Sequence, residues 1–123
     1  LPLMLTGQTG GGILLAVGNC LTLAFILEDG VPWTRLLSLY KMPSIKHTPE
    51  IMSHLVEHRS SEGPYGAKGV GEIPSINTTP AICNAIYNAT GVRIFKIPVD
   101  QDSLLLAMKR GQTEVHRAWQ DVK

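Results

Sequence analysis

The stretch Gly63-Pro64-Tyr65-Gly66-Ala67-Lys68-Gly69-Val70-Gly71-Glu72 holds four glycines, a proline and only two charged side chains, Lys68 and Glu72. Glycine tolerates positive φ and contact distances that a Cβ forbids, and it gives up backbone entropy wherever it is ordered. Glycines spaced this closely predict a backbone that approaches another group. A flexible surface loop is the other reading of any glycine-rich run. Two details favour close approach. The run has no serine or asparagine padding, and Glu72 is followed at once by the apolar pair Ile73-Pro74, which predicts an acid facing inward. Known phosphate cradles do not fit. Walker A needs G-x-x-x-x-G-K-[ST], whereas Lys68 precedes Gly69 and no hydroxyl follows it. In a Rossmann turn the third glycine would stand where this chain has Pro74.

The 123 residues, 44% of them hydrophobic, make one domain's worth of chain with enough apolar content for a core. The opening Leu1-Pro2-Leu3-Met4-Leu5 lacks an initiator methionine and a start signal for an element, so the chain is expected to begin inside a longer protein. Formal charge is +1, from 11 basic and 10 acidic residues without a dense basic cluster, and no nucleic-acid partner is expected. Cys20 and Cys83 sit in apolar helical patterns outside any C-x-x-C spacing. They predict buried free thiols in a reducing compartment, hence a cytoplasmic protein.

Residues 11–27 are apolar nearly all round except for Asn19 and Thr22. A membrane span needs about 20 apolar residues and usually basic flanks. This run is interrupted and is followed by Glu28-Asp29-Gly30, so it predicts a helix buried in a larger protein and no membrane partner. Gly30 would close it, with Glu28 and Asp29 placed unfavourably at the negative helix end. Residues 31–48 have no sustained period and read as an irregular crossing with a short extended piece around Leu36 to Tyr40, because Pro32, Pro43 and Pro49 exclude a long helix. Thr48-Pro49-Glu50 is by itself a good helix start. Such a helix would carry His54-Leu55-Val56-Glu57-His58, an H-x-x-E-H string like that of inverted zinc proteases. On a helix the two histidines are neighbours, whereas on a strand four residues span about 13 Å, too far for one metal.

Further on, Thr79 is a candidate cap with Pro80 at the first helical position, Ile82, Ala85, Ile86 and Ala89 on one face, and Gly91 at the end. Val92 to Ile97 reads as a strand, and Asp100 as the cap of a short helix, Ser103 to Arg110, closed by Gly111. In the tail, Val115 and Trp119 stand one turn apart and suggest a small docking helix. His47 and His116 read as surface residues.

Gly66-Ala67-Lys68-Gly69-Val70-Gly71-Glu72 is similar to the signature near the end of the molybdenum-binding subunit of the xanthine dehydrogenase and aldehyde oxidoreductase family, the molybdenum hydroxylases. Gly7-Gln8-Thr9-Gly10-Gly11-Gly12 resembles the family's G-Q-x-x-G-G lead into a long apolar helix. Tyr40-Lys41-Met42-Pro43 resembles its Y-K-I-P step, and Thr79-Pro80-Ala81-Ile82 with Asn84-Ala85-Ile86 resembles the helix after the glutamate. Several separated motifs agree in order. The order of elements, helix, strand, helix, strand, helix, predicts an α+β fold with a small sheet, and the resemblance makes it a small mixed sheet packed with a long buried helix and one or two further helices, as part of the cofactor-binding domain. Residues 1–123 would then be a single domain or the C-terminal part of that domain, with the tail 112–123 poorly covered. The resemblance also implies a strand near 51–58, which separates His54 from His58 and leaves a zinc hydrolase as the weaker alternative.

The implied chemistry is hydroxylation of an electron-poor C–H carbon with water-derived oxygen on a molybdopterin-type molybdenum cofactor. Glu72 would be the general base on the molybdenum-bound hydroxo ligand, a carboxylate that reaches the metal's ligands without joining them. Gln8, Gly69, Val70 and Gly71 would lie against the cofactor, and Lys68 would anchor the loop. A neutral amide that donates and accepts suits Gln8 to that task, and a helix-capping or turn role for it stands beside this one. Purines are the first expected substrates, then other N-heterocycles, then aldehydes. The chain lacks the cysteines for iron–sulfur binding, so 2Fe-2S and FAD centres are expected in partner domains or subunits, alongside the rest of the molybdopterin-binding subunit. Alone the chain is expected to be inert. A noncatalytic interaction domain that keeps the fold is the alternative from another class, and the intact Gly66 to Glu72 string argues against it.

Overall fold

The apolar run forms a helix that starts and ends earlier than its composition predicts. In the computed structural model, which describes residues 2–116, α1 spans Pro2–Leu21. Thr22 and Leu23 both donate their N–H to Gly18 O at 2.8 Å, and Val99 N–H reaches Cys20 O at 2.7 Å. These bonds satisfy carbonyls that a helix end otherwise leaves open. Gly30 therefore does not close α1. It belongs to a hairpin, β1 (Leu27–Glu28) against β2 (Val31–Pro32), in antiparallel register Leu27↔Pro32 and Glu28↔Val31. Asp29 and Gly30 have φ of 49° and 78°, the two positive values that a tight two-residue hairpin turn requires. Asp29 thus stands at a turn and not at a helix terminus.

The extended piece expected at Leu36 to Tyr40 is instead a single helical turn, α2 (Leu37–Tyr40), because Leu39 and Tyr40 both return their N–H to Leu36 O at 3.0 Å. Tight 3-10 turns follow at Ile45–His47 and Pro64–Gly66. Between them residues 51–58 form neither the expected strand nor the helix of the zinc reading. Ile51 and Ser53 are half-buried while Met52 and His54 are exposed, a strand-like alternation. A ladder needs a second strand, and none of the described residues pairs with it.

α3 spans Ile73–Thr90, beginning before Thr79 and Pro80. Pro74 takes the first turn, where an N–H has no intrahelical partner, and Pro80 lies inside the helix. Thr79 does not cap. Its Oγ1 donates across to Ala16 O of α1 at 3.3 Å. The inward face of α3 is Thr79, Ile82, Cys83 and Ile86, with Ala85 and Ala89 exposed. Gly91 ends α3 as expected, with φ 74° and its N–H on Tyr87 O at 2.8 Å.

β3 (Arg93–Ile94), α4 (Gln101–Arg110) and β4 (Glu114–Val115) make a strand–helix–strand unit with parallel pairing, Arg93↔Glu114 and Ile94↔Val115. Asp100 occupies the N-cap of α4 and accepts from Ser103 Oγ, and Gly111 closes the helix at φ 65°. Val115 is a buried strand residue and not part of a docking helix, while Trp119 lies outside the described residues. The α+β class holds, with the strands in two separate two-stranded ladders. The core gathers Cys20, Val92, Ile94, Val99, Ala107 and Val115, with Ile82, Cys83, Ile86 and Leu104 packed against it. α1 is buried within the chain only at Ala16, Gly18 and Cys20, and its N-terminal half carries exposed Leu3 and Met4. Among the described residues, no helix is long and apolar enough to cross a membrane.

Candidate functional site

Packing of α1 on the start of α3 builds the site. A Cβ placed on Gly12 would stand 3.0 Å from Pro74 Cβ, so glycine lets the two helices approach closely there. One turn earlier, Gln8 projects beside the glycine-rich stretch, and a Cβ on Gly71 would lie 3.9 Å from Gln8 Nε2. Gln8 is an exposed residue in the interior of α1, which removes the capping and turn role for its side chain. Two residues singled out separately in the sequence are thus neighbours.

The glycines of the stretch divide into two kinds. Gly63 and Gly66 have φ of 79° and 68°, with Tyr65 between them at 57°. They form the turn, which Ser60 N–H fastens to Gly66 O at 3.2 Å and Arg59 Nε fastens to Tyr65 O at 3.2 Å. Gly69 and Gly71 are not in the left-handed region, and a Cβ on Gly69 would meet nothing within 4 Å. The fold itself does not require glycine at either position. Gly7, Gly10 and Gly11 are the same: inside α1, with open space where each Cβ would be. Glycine in a helix interior costs about 0.5–1 kcal/mol against alanine. The spacing i, i+3, i+4 puts all three on one face, a signal present in the sequence that periodicity of apolar residues does not register.

Glu72 occupies the N-cap position of α3. Its carbonyl accepts from Ser75 N at 3.0 Å, Ser75 Oγ at 2.8 Å and Ile76 N at 3.3 Å, which fixes the backbone, while its carboxylate makes no capping bond. The inward-facing acid expected from Ile73-Pro74 is not found: Glu72 is exposed and Ile73 is 59% exposed. Val70 is half-buried, and Lys68 is exposed with no ion pair among the described residues. Tyr40, Met42 and Pro43 run along α1 beside Gly11 and border an apolar depression of about 220 Å³.

The patch therefore offers a neutral amide at Gln8, main chain free of Cβ atoms at 69 and 71, and an unengaged carboxylate at Glu72. A broad polar group with hydrogen-bonding edges, such as a pterin, fits this arrangement, since none of the described residues lies within 4 Å of a Cβ at Gly69 and only the Gln8 amide does at Gly71. No group of three or more His, Cys, Asp or Glu converges among the described residues. The residues of the zinc reading are not brought together. His54, Glu57 and His58 are all exposed, and the helix that would align them is not formed.

No protein-family model matches the chain. It is 36% identical over 104 residues to a probable xanthine dehydrogenase subunit of Bacillus subtilis, covering 85% of this chain and 14% of that protein. It is 38% identical over 104 residues to the aldehyde oxidoreductase of Megalodesulfovibrio gigas, covering 84% of this chain and 11% of that protein. With the putative xanthine dehydrogenase molybdenum-binding subunit XdhA of Escherichia coli the identity is 36% over 119 residues, 95% of this chain and 15% of that protein. The matched part is no more than 15% of the length of these relatives.

Proposed function

The chain belongs to the xanthine dehydrogenase and aldehyde oxidoreductase family, matching one portion of its molybdenum-binding subunits, and we propose that it forms one wall of a molybdopterin site in a larger molybdenum hydroxylase. The observation that carries this reading is the meeting of Gln8 with Gly71 beside Gly69, where a Cβ would have none of the described residues within 4 Å. A surface kept clear of side chains at a cost in backbone entropy suits a large group lying against it.

Each residue then has a task. The Gln8 amide donates to and accepts from the cofactor edge. The main chain at Gly69-Val70-Gly71 lies alongside it. Glu72, held by three hydrogen bonds to its own carbonyl and with its carboxylate unengaged, takes a proton from the attacking oxygen. When bound, the molybdenum cofactor supplies the two-electron oxidation that puts water-derived oxygen on an electron-poor C–H carbon. Purines are the first substrates to try, then other N-heterocycles, then aldehydes.

Exclusion of water falls to the rest of the subunit. The chain exposes 9400 Å², against roughly 6500 Å² for a compact monomer of its mass. Large apolar side chains stand exposed, among them Leu3, Met4, Met52 and Val56, as expected of a surface covered by other polypeptide. 2Fe-2S and FAD centres in partner domains or subunits would carry the electrons away, and the isolated chain would be inert.

The test is Glu72→Gln in the native assembly, with molybdenum content measured beside turnover. The reading expects unchanged molybdenum and a fall in kcat of about 10²-fold or more, the usual contribution of a general base. Wild-type turnover would remove Glu72 from the mechanism.

A further inference from the structure

We propose that Cys20 and Cys83 form an oxidisable dithiol, a reversible modification site that closes to a disulfide between α1 and α3. Their sulfurs are 3.7 Å apart across the helix interface, both thiols are free, and they belong to the two longest helices of the fold. The environments differ. Cys20 is fully buried at the last turn of α1 and also lies 3.9 Å from Thr79 O, whereas Cys83 is half-buried on α3. Burial, with Cys83 as the second cause, pushes the Cys20 thiol up to about 12, so Cys20 stays protonated at neutral pH. Cys83, the sulfur that solvent reaches, is the attacking one, and buried Cys20, 3.7 Å away, the resolving one.

A peroxide is the oxidant. The Cys83 sulfur attacks one peroxide oxygen, the O–O bond breaks, Cys83 becomes a sulfenic acid, and the leaving hydroxide takes the thiol's proton as water. Cys20 sulfur then attacks Cys83 sulfur, the S–S bond forms, the S–O bond breaks, and a second water leaves with the Cys20 proton. Two thiols have given two electrons to one peroxide. In a reducing compartment a thiol reductant reverses the step, which makes the bond a transient one. Its consequence is mechanical. The cross-link fastens α1 to α3, whose contact at Gly12 and Pro74 lies beside the meeting of Gln8 and Gly71.

The experiment treats the native assembly carrying this chain with hydrogen peroxide, removes the excess with catalase, alkylates remaining thiols after denaturation, and maps peptides by mass without reduction. Oxidation of Met52, which is 81% exposed, confirms the dose. The expected result is a Cys20–Cys83 linked peptide that disappears on treatment with dithiothreitol. In Cys20→Ser the resolving sulfur is missing, so dimedone labelling of Cys83 should rise several-fold over wild type. Recovery of both cysteines alkylated at a dose that oxidises Met52 would overturn the proposal. So would Cys83 found as sulfinic acid beside an alkylated Cys20.

Discussion

Gln8 Nε2 stands 3.9 Å from the position that a Cβ on Gly71 would take, a contact between the first helix and the strip leading into the second long one. That distance is ordinary van der Waals contact, so alanine at 71 fits the chain. Gly69→Ala meets nothing within 4 Å and fits as well. Both substitutions should leave thermal stability within about 0.5 kcal/mol of wild type. In the full assembly both should lower molybdenum content or turnover, since the added methyl points where the cofactor is proposed to lie. Thermal melts beside metal analysis check the two halves of this prediction separately.

Two other glycines should behave in the opposite way. Gly66 has φ 68°, and a Cβ there would meet Arg59 and Ser60 O, the latter at 2.8 Å. Gly66→Ala should destabilise by more than about 1 kcal/mol through left-handed strain and crowding together. At Gly18 a Cβ would come within 2.7 Å of Pro43 Cγ and 2.8 Å of Leu23 Cδ1. The proline ring cannot turn away, so Gly18→Ala should cost about 1–3 kcal/mol. Denaturant midpoints measure both.

Gln8→Ala isolates the amide from the fold. The side chain is exposed in the interior of α1, and alanine is the better helix former, so stability should hold or rise by a few tenths of a kcal/mol. The loss should appear in retention of the cofactor. Dialysis followed by molybdenum analysis would show faster loss from the variant assembly than from wild type.

The thiol pair sets an alkaline limit. Cys20 is raised from 9.0 to about 12 by burial first and by Cys83 second. Below pH 9 the thiol is protonated in both folded and unfolded chains and has no effect on the pH dependence. Between about 9 and 12 the unfolded chain releases a proton that the folded one keeps, so this contribution to stability falls as pH rises through that window. Cys20→Ala should flatten the loss in melts taken across it. In the folded protein at neutral pH, iodoacetamide should modify half-buried Cys83 before fully buried Cys20.

Local signals are legible where one residue decides the backbone. Gly91 and Gly111 end helices at positive φ, and Asp100 begins one, as their residue types predict. Asp29-Gly30 is an equally plain hairpin signal, but the long apolar run before it suggests a helix reaching that far. α1 ends where Thr22 and Leu23 turn back onto Gly18 O and Val99, distant in sequence, takes the Cys20 carbonyl, a bond that no local pattern contains. At residues 51–58 the local helix start Thr48-Pro49-Glu50 is not used, and the strand that the resemblance implies has no partner among the described residues, without which a ladder does not form. For the candidate site, the motifs pick out Gln8 and the strip from Gly69 to Glu72. Their proximity depends on Gly12 lying against Pro74, a tertiary contact. The exposure of Glu72 is not legible, because hydrophobicity alone implies burial of Ile73-Pro74 and the apolar surface of this chain is largely uncovered.

Elemental analysis of the native assembly that contains this chain, with every co-purifying polypeptide identified by mass, tests the central claim most directly. The account predicts molybdenum near one atom per copy of the chain, together with iron from partner centres. Zinc without molybdenum, or neither metal, would contradict it.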